Sequence, residues 1–277
     1  MIKRILVPTD GSESANLGVE YAIALAKRFD ASVVGVHVVD VKLLEGPFLR
    51  DLSASLGTAP YVNYQGSIAK ILEERGAAAL GALRESCEKA GVPCETAQTT
   101  GIVPRAIVDQ GELCDMIVLG RGGEHTAWLE GLIGSTTEAV ARQASLPVLV
   151  TGTATPGNKR VLVAYDGSSH AKQALRSAAG LAQDWSMELE LLVVAEDESG
   201  QRLLEEARNY LQSHGTTVQY ALRLGEPAET IVRYAQESEA DVIVMGTYGH
   251  AKVLEWIIGS TTTYVLNHAP CPVLLVR

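Results

Sequence analysis

The chain has 277 residues, 47% of them hydrophobic, enough to bury the core of one large domain or two ordinary ones. Its 33 acidic against 23 basic side chains give a formal net charge of −10 with no clustered basic run, which argues against a phosphodiester partner. No apolar run approaches the roughly 20 residues needed to cross a bilayer. Cys87, Cys94, Cys114 and Cys271 show neither CxxC nor Cys/His ligand spacing, so the expectation is free thiols in a cytoplasmic protein without a nucleic-acid or membrane partner.

In chain order, residues 3–8 are a β-rich apolar run, residues 13–29 carry apolar side chains at helical spacing (Leu17, Tyr21, Ala24, Leu25), and residues 32–39 form a second strand. This βαβ beginning calls for parallel pairing. A helix over 67–90, a strand over 92–98, a helix over 103–112, a strand over 115–120, a helix over 135–143 and a strand over 147–151 complete the first half. The second half repeats the pattern more tightly, with helices near 169–184, 200–214, 227–238 and 260–268. Five strands per half with helices on both faces predict a doubly wound α/β sheet in each.

The halves are copies of one unit. IKRILVPTDGSESA at the N-terminus matches NKRVLVAYDGSSHA at 158–171, pairing Asp10 with Asp166, and SVVGVHVVD matches ELELLVVAE, placing Val38 opposite Val194. Further on, LEGLIGSTTEAV (129–140) matches LEWIIGSTTTYV (254–265), and SLPVLV matches PCPVLLV. The expected organisation is domain 1 over 1–152, a Gly/Thr/Pro-rich linker over 153–158, and domain 2 over 159–277. The main difference is segment 41–66 of the first half, a long connection without obvious structure that reads as a lid, a dimer contact or a mobile excursion, or equally as a tolerated surface insertion.

After the fourth strand of the second half comes Gly246-Thr247-Tyr248-Gly249, then nine residues, then Gly259-Ser260-Thr261 opening a helix. Ligands of open α/β sheets sit beyond the carboxyl ends of the strands. There Gly246 and Gly249 let backbone N–H groups approach phosphate oxygens without a Cβ in the way. The helix start at Gly259 and Ser260 offers free N–H groups and a favourable dipole, and hydroxyls add donors. In the first half Gly120-Arg121-Gly122-Gly123 is followed by ten residues before Gly134-Ser135-Thr136, the additional residue being Glu124. A carboxylate there repels a polyphosphate, and Arg121 is placed either to offset it or to engage a phosphate itself.

These motifs, over essentially the whole of both halves, resemble the universal stress protein family in its ATP-binding branch. The resemblance implies a tandem pair of Rossmann-like domains of the adenine nucleotide alpha hydrolase-like type. It also implies a nucleotide-dependent regulatory role in stress response, with ATP as ligand and Mg²⁺ carried by the nucleotide. In such proteins the Asp closing the first strand lies by the ribose, a valine ending the second strand meets adenine through its backbone, and the glycine motif holds the phosphates. Carried over, that implicates Asp166, Val194, Gly246, Thr247, Gly249, Gly259, Ser260 and Thr261, with Ala164 as a wall residue. In the first half it implicates Asp10, Val38, Gly120, Arg121, Gly123, Gly134, Ser135 and Thr136, with Pro8 as the wall. The family also pairs the last strands of two domains, here around Val148 and Val273, so a tandem chain is expected to make this pairing internally and leaves a homodimer open.

No Gly-x4-Gly-Lys-Ser/Thr, no Gly-x-Gly-x2-Gly after the first strand and no Gly-x-Ser-x-Gly elbow is present. No residue is assigned as catalytic. His125 and His250 read as solvent-facing loop residues beside the phosphates, with proton transfer as the alternative. Trp128 and Trp256 read as packing residues, with a ligand cover as the alternative. Two further readings stay open: slow ATP hydrolysis or phosphotransfer at the same sites, and a scaffold that binds no nucleotide.

Overall fold

The computed structural model describes residues 2–45, 62–123, 133–152, 157, 159–196, 199–213, 217–247 and 258–277. Glu124, His125, Trp128, Tyr248, Gly249, His250 and Trp256, and most of segment 41–66, lie outside the described residues.

The first half runs β1 (Arg4–Pro8), α1 (Glu13–Phe29), β2 (Ser32–Asp40), α2 (Val41–Glu45), α3 (Val62–Ala90), β3 (Cys94–Gly101), α4 (Val103–Gly111), β4 (Met116–Leu119), α5 (Ser135–Gln143) and β5 (Val148–Val150). The second runs β6 (Arg160–Ala164), α6 (Ser169–Trp185), β7 (Glu188–Val194), α7 (Ser199–Ser213), β8 (Val218–Arg223), α8 (Pro227–Glu237), β9 (Val242–Gly246), α9 (Ser260–His268) and β10 (Val273–Val276). At the two ends of segment 41–66, α2 begins directly after β2 and α3 starts at Val62 rather than at residue 67.

The strand order is β3-β2-β1-β4-β5-β10-β9-β6-β7-β8. Each half is a parallel doubly wound sheet, and the halves join through one antiparallel pair, Val273 with Val150, Leu274 with Leu149 and Leu275 with Val148. The expected internal pairing of the last strands is therefore present, and it makes one continuous ten-stranded sheet. The short strands β5 and β10 are apolar and buried on every residue, so covering their free edges against each other removes both backbone and side chains from water.

Alternation along the strands splits the core in two. Ile5, Val7, Val161 and Val163 face α1, α3, α6 and α7, and Leu6, Leu162, Ile117 and Ile243 face α4, α5, α8 and α9. Each such buried aliphatic side chain contributes roughly 1.5–3 kcal/mol over leaving it exposed. At the amino ends of the strands a carboxylate staples each half: Asp115 Oδ2 accepts from the N–H groups of Lys3 and Arg4 at 2.7 and 2.9 Å. Asp241 Oδ2 does the same for Lys159 and Arg160 at 2.7 and 2.8 Å.

Candidate functional site

At the carboxyl end of β1 the chain turns through Asp10-Gly11-Ser12. Asp10 Oδ1 accepts from Ser12 N–H at 2.9 Å, Gly11 takes φ 81°, and Ser12 Oγ caps α1 by accepting from Ala15 N–H at 3.2 Å. The second half repeats each contact, with Asp166 Oδ1 to Ser168 N–H at 2.9 Å, Gly167 at φ 78°, and Ser168 Oγ to Ala171 N–H at 3.1 Å. The side-chain–backbone turn fixes the aspartate at the rim of the sheet, and the left-handed φ explains why glycine follows it.

The glycine after β4 and β9 is required by close approach. A Cβ on Gly120 would overlap the Ser14 carbonyl, and one on Gly246 would lie 2.8 Å from His170 Cβ and 2.9 Å from Ala171 N. This lets the loop run against the first turn of α1 or α6. In the first half the loop is bound there, Gly122 N–H donating to Ser14 Oγ at 2.9 Å. It is closed onto the next helix by Gly134 N–H to Arg121 O at 2.8 Å and by Thr137 Oγ1 to Gly120 O at 2.9 Å. In the second half Gly259 N–H reaches Thr247 O at 3.3 Å, and Thr262 Oγ1 is 3.3 Å from both Gly246 O and Thr247 O.

Helices α5 and α9 differ from α1 and α6 at their starts. Gly134 and Gly259 are the N-caps, and neither has a side-chain hydrogen bond to the helix N–H groups. The first-turn donors of α5 and α9 thus carry the helix dipole without an internal side-chain acceptor.

A cavity of about 180 Å³ opens over the first half, at the point where the strand order reverses between β1 and β4. Pro8, Asp10, Val38, Gly120, Gly123, Gly134, Ser135 and Thr136, all named from the sequence, line it. Its counterpart, of about 310 Å³, is lined by Ala164, Asp166, Val194, Gly246, Gly259, Ser260 and Thr261. Sequence reasoning missed the apolar wall: Val36, Val103 and Ile107 in one pocket, Leu192, Pro227 and Ile231 in the other. The repeat itself held that signal, since Gly101 and Gly225 each precede an isoleucine by six residues, at Ile107 and Ile231. His37 also lines the first pocket, its Nδ1 2.8 Å from Thr9 O.

Arg121 and Thr247 are not among the residues that line the cavities. The Arg121 side chain turns away from the first pocket, across the seam between the halves, and Nη2 donates to Ala269 O at 2.9 Å. Burial pushes its guanidinium below the ordinary value, partly offset by the neighbouring Cys271 and Tyr21. In this structure Arg121 makes a contact between the halves, and Glu124, which it was expected to offset, lies outside the described residues. Thr247, its counterpart, is buried, and its Oγ1 has no hydrogen-bond partner among the described residues.

Among the described residues no group of three or more His, Cys, Asp or Glu side chains stands together as a metal site, and no helix is long and apolar enough to cross a membrane. The chain is 28% identical over 287 aligned positions to universal stress protein Slr1230 of Synechocystis, covering all of both chains. It is 34% identical over 152 residues to universal stress protein MJ0531 of Methanocaldococcus jannaschii, covering 54% of this chain and 82% of that one. The crystal structure of a universal stress protein from Archaeoglobus fulgidus superposes with a TM-score of 0.75 at 25% identity, covering 99% of this chain and 96% of that one. With the model of the universal stress protein family matching residues 1–152, 157–206 and 193–277, the chain belongs to that family.

Proposed function

We propose that each half binds one ATP in its pocket, and that occupancy sets the state of a two-domain regulatory protein of stress response. The observation that carries this reading is the pair of uncapped helix starts: Gly134-Ser135-Thr136 and Gly259-Ser260-Thr261 each present first-turn N–H groups to a cavity at the carboxyl edge of the sheet. An anion completes that arrangement, and the apolar wall of Val36, Ile107, Leu192 and Ile231 suits a flat base. Asp10 and Asp166 stand at the rim where a ribose hydroxyl would donate. Mg²⁺ would be held mainly by phosphate oxygens and water, which fits a pocket whose lining contributes one aspartate.

The test is acid extraction and chromatography of copurified nucleotide, with calorimetric titration of ATP and Mg²⁺ into stripped protein. Two adenine nucleotides per chain are expected. Ser135→Glu and Ser260→Glu place a carboxylate in a first helical turn, which suits the dipole but repels phosphate, so each variant should lose one equivalent while staying folded. No bound nucleotide and no melting shift with ATP and Mg²⁺ would overturn the proposal. Phosphate release that disappears in these variants would move the reading to a slow hydrolase at the same pockets.

A further inference from the structure

Two hydrogen bonds join the first phosphate cradle to the helix that forms the second. Arg121, whose carbonyl closes the first cradle onto Gly134, donates from Nη2 to Ala269 O, the C-cap of α9, at 2.9 Å. Ile133, immediately before Gly134, donates its N–H to Asn267 Oδ1 at 2.7 Å. Asn267 is itself fixed, its Nδ2 donating to Thr263 O at 3.0 Å, which settles which amide atom faces Ile133. The opposite end of α9, Ser260 and Thr261, lines the second pocket. Helix α9 has 9 residues, so it is a rod of about 13 Å with one end in each site's structure.

We infer that the two nucleotide pockets are thermodynamically coupled through α9, an inference that rests on the nucleotide-binding reading above. A phosphate entering the first pocket draws in the N–H groups of the Gly120–Gly123 loop and of the α5 start. Those same segments carry Arg121 and Ile133, so their adjustment is felt at Asn267 and Ala269. A nine-residue hydrogen-bonded helix packed by Val265 and Leu266 transmits displacement along its axis instead of absorbing it. The guanidinium is partly buried, and its bond to Ala269 O is the one that crosses the seam from this loop among the described residues.

The mirror connection is built differently. Thr247 stands where Arg121 does in the first half and is too short to cross the seam. The last turn of α5 is met by Arg277, whose Nη1 lies 3.4 Å from Arg142 O and which follows β10, not a phosphate loop. Among the described residues the coupling thus runs through one helix, and because linkage is reciprocal, each site changes the other's affinity by the same factor.

The experiment titrates ATP and Mg²⁺ by calorimetry into stripped full-length protein, into Ser135→Glu and Ser260→Glu, and into Arg121→Met/Asn267→Leu. The site left in Ser135→Glu should bind ATP with an affinity differing about fivefold or more from that of the same site when the first is filled. In Arg121→Met/Asn267→Leu the factor should fall towards one. Amide exchange on Ser260→Glu needs no change at the seam: ATP in the first pocket alone should alter protection at residues 264–269. A remaining site in Ser135→Glu and in Ser260→Glu with the same affinity as that site has in the unsubstituted protein, together with unchanged exchange in α9, would overturn the coupling while leaving nucleotide binding intact. Absence of any binding would overturn both.

Discussion

The two glycine loops share a motif and differ in how firmly it is held among the described residues. In the first, the loop is tied to α1 through Ser14, to α5 through Thr137 and Gly134 at 2.8–2.9 Å, and to the other domain through Arg121. In the second, the corresponding closures stretch to 3.3 Å, and a buried threonine hydroxyl is left without a partner among the described residues. The spacing Gly-x2-Gly-x9-Gly-Ser is that of the second copy, yet among the described residues the first shows the shorter bracing bonds. Motif regularity and mechanical order are therefore separate properties, and a braced cradle loses less conformational freedom when a ligand arrives.

The comparison can be broken most directly at the close-approach glycines. Gly120→Ala forces a Cβ into the Ser14 carbonyl and should cost about 3 kcal/mol, at the upper end of the range for overpacking. Gly246→Ala meets His170 Cβ at 2.8 Å and should cost about 2 kcal/mol, because the looser loop can shift. Urea unfolding measures both, and the reverse order would mean that the second cradle is the stiffer one.

Next in size are the bracing hydroxyls. Thr137→Val removes a buried bond of 2.9 Å and should cost about 1 kcal/mol, whereas Thr262→Val, losing two contacts at 3.3 Å, should cost clearly less. Equal losses in the two urea midpoints would remove the distinction. As a control where the copies agree, Ser12→Ala and Ser168→Ala each delete an N-cap bond, at 3.2 and 3.1 Å, and should cost about 1 kcal/mol alike.

The smallest effect at neutral pH grows under alkali and concerns the seam. Burial, with Asp241 nearby, pushes the Cys271 thiol from 9.0 up to about 12. Burial, then Cys271, pushes the Tyr21 hydroxyl from 10.0 up to about 12. The folded state holds these protons more tightly, so their contribution to stability is complete below pH 9 and is lost as the pH rises from about 9 towards 12. The urea midpoint should be flat from neutrality to about pH 9 and then fall, and Cys271→Ala should soften the fall. Cys87, also pushed up to about 12 by burial, should share with Cys271 a resistance to thiol reagents at pH 8 that disappears in denaturant.

Much of the fold was legible because the signals are local. Strand and helix periods located every expected element, with boundaries displaced by a few residues where helix ends extend, as at Val62. The pocket was legible for the same reason: glycine conformations, Asp-Gly-Ser turns and helix starts are properties of a few consecutive residues. The apolar wall was harder, since Ile107 and Ile231 sit on helices whose inward face only the repeat reveals.

The sequence by itself determined two copies of a parallel α/β unit, their internal pairing by analogy with the family, and part of the lining of a pocket at the carboxyl edge of each sheet. Only the tertiary structure decided where Arg121 points, the antiparallel register of β5 against β10, and the carboxylate staples at Asp115 and Asp241. These depend on groups that meet across long separations, 148 residues for Arg121 and Ala269 and 112 for Lys3 and Asp115. A long side chain beside a glycine loop has several polar partners within reach, and which one it meets is fixed by how two packed domains share one sheet.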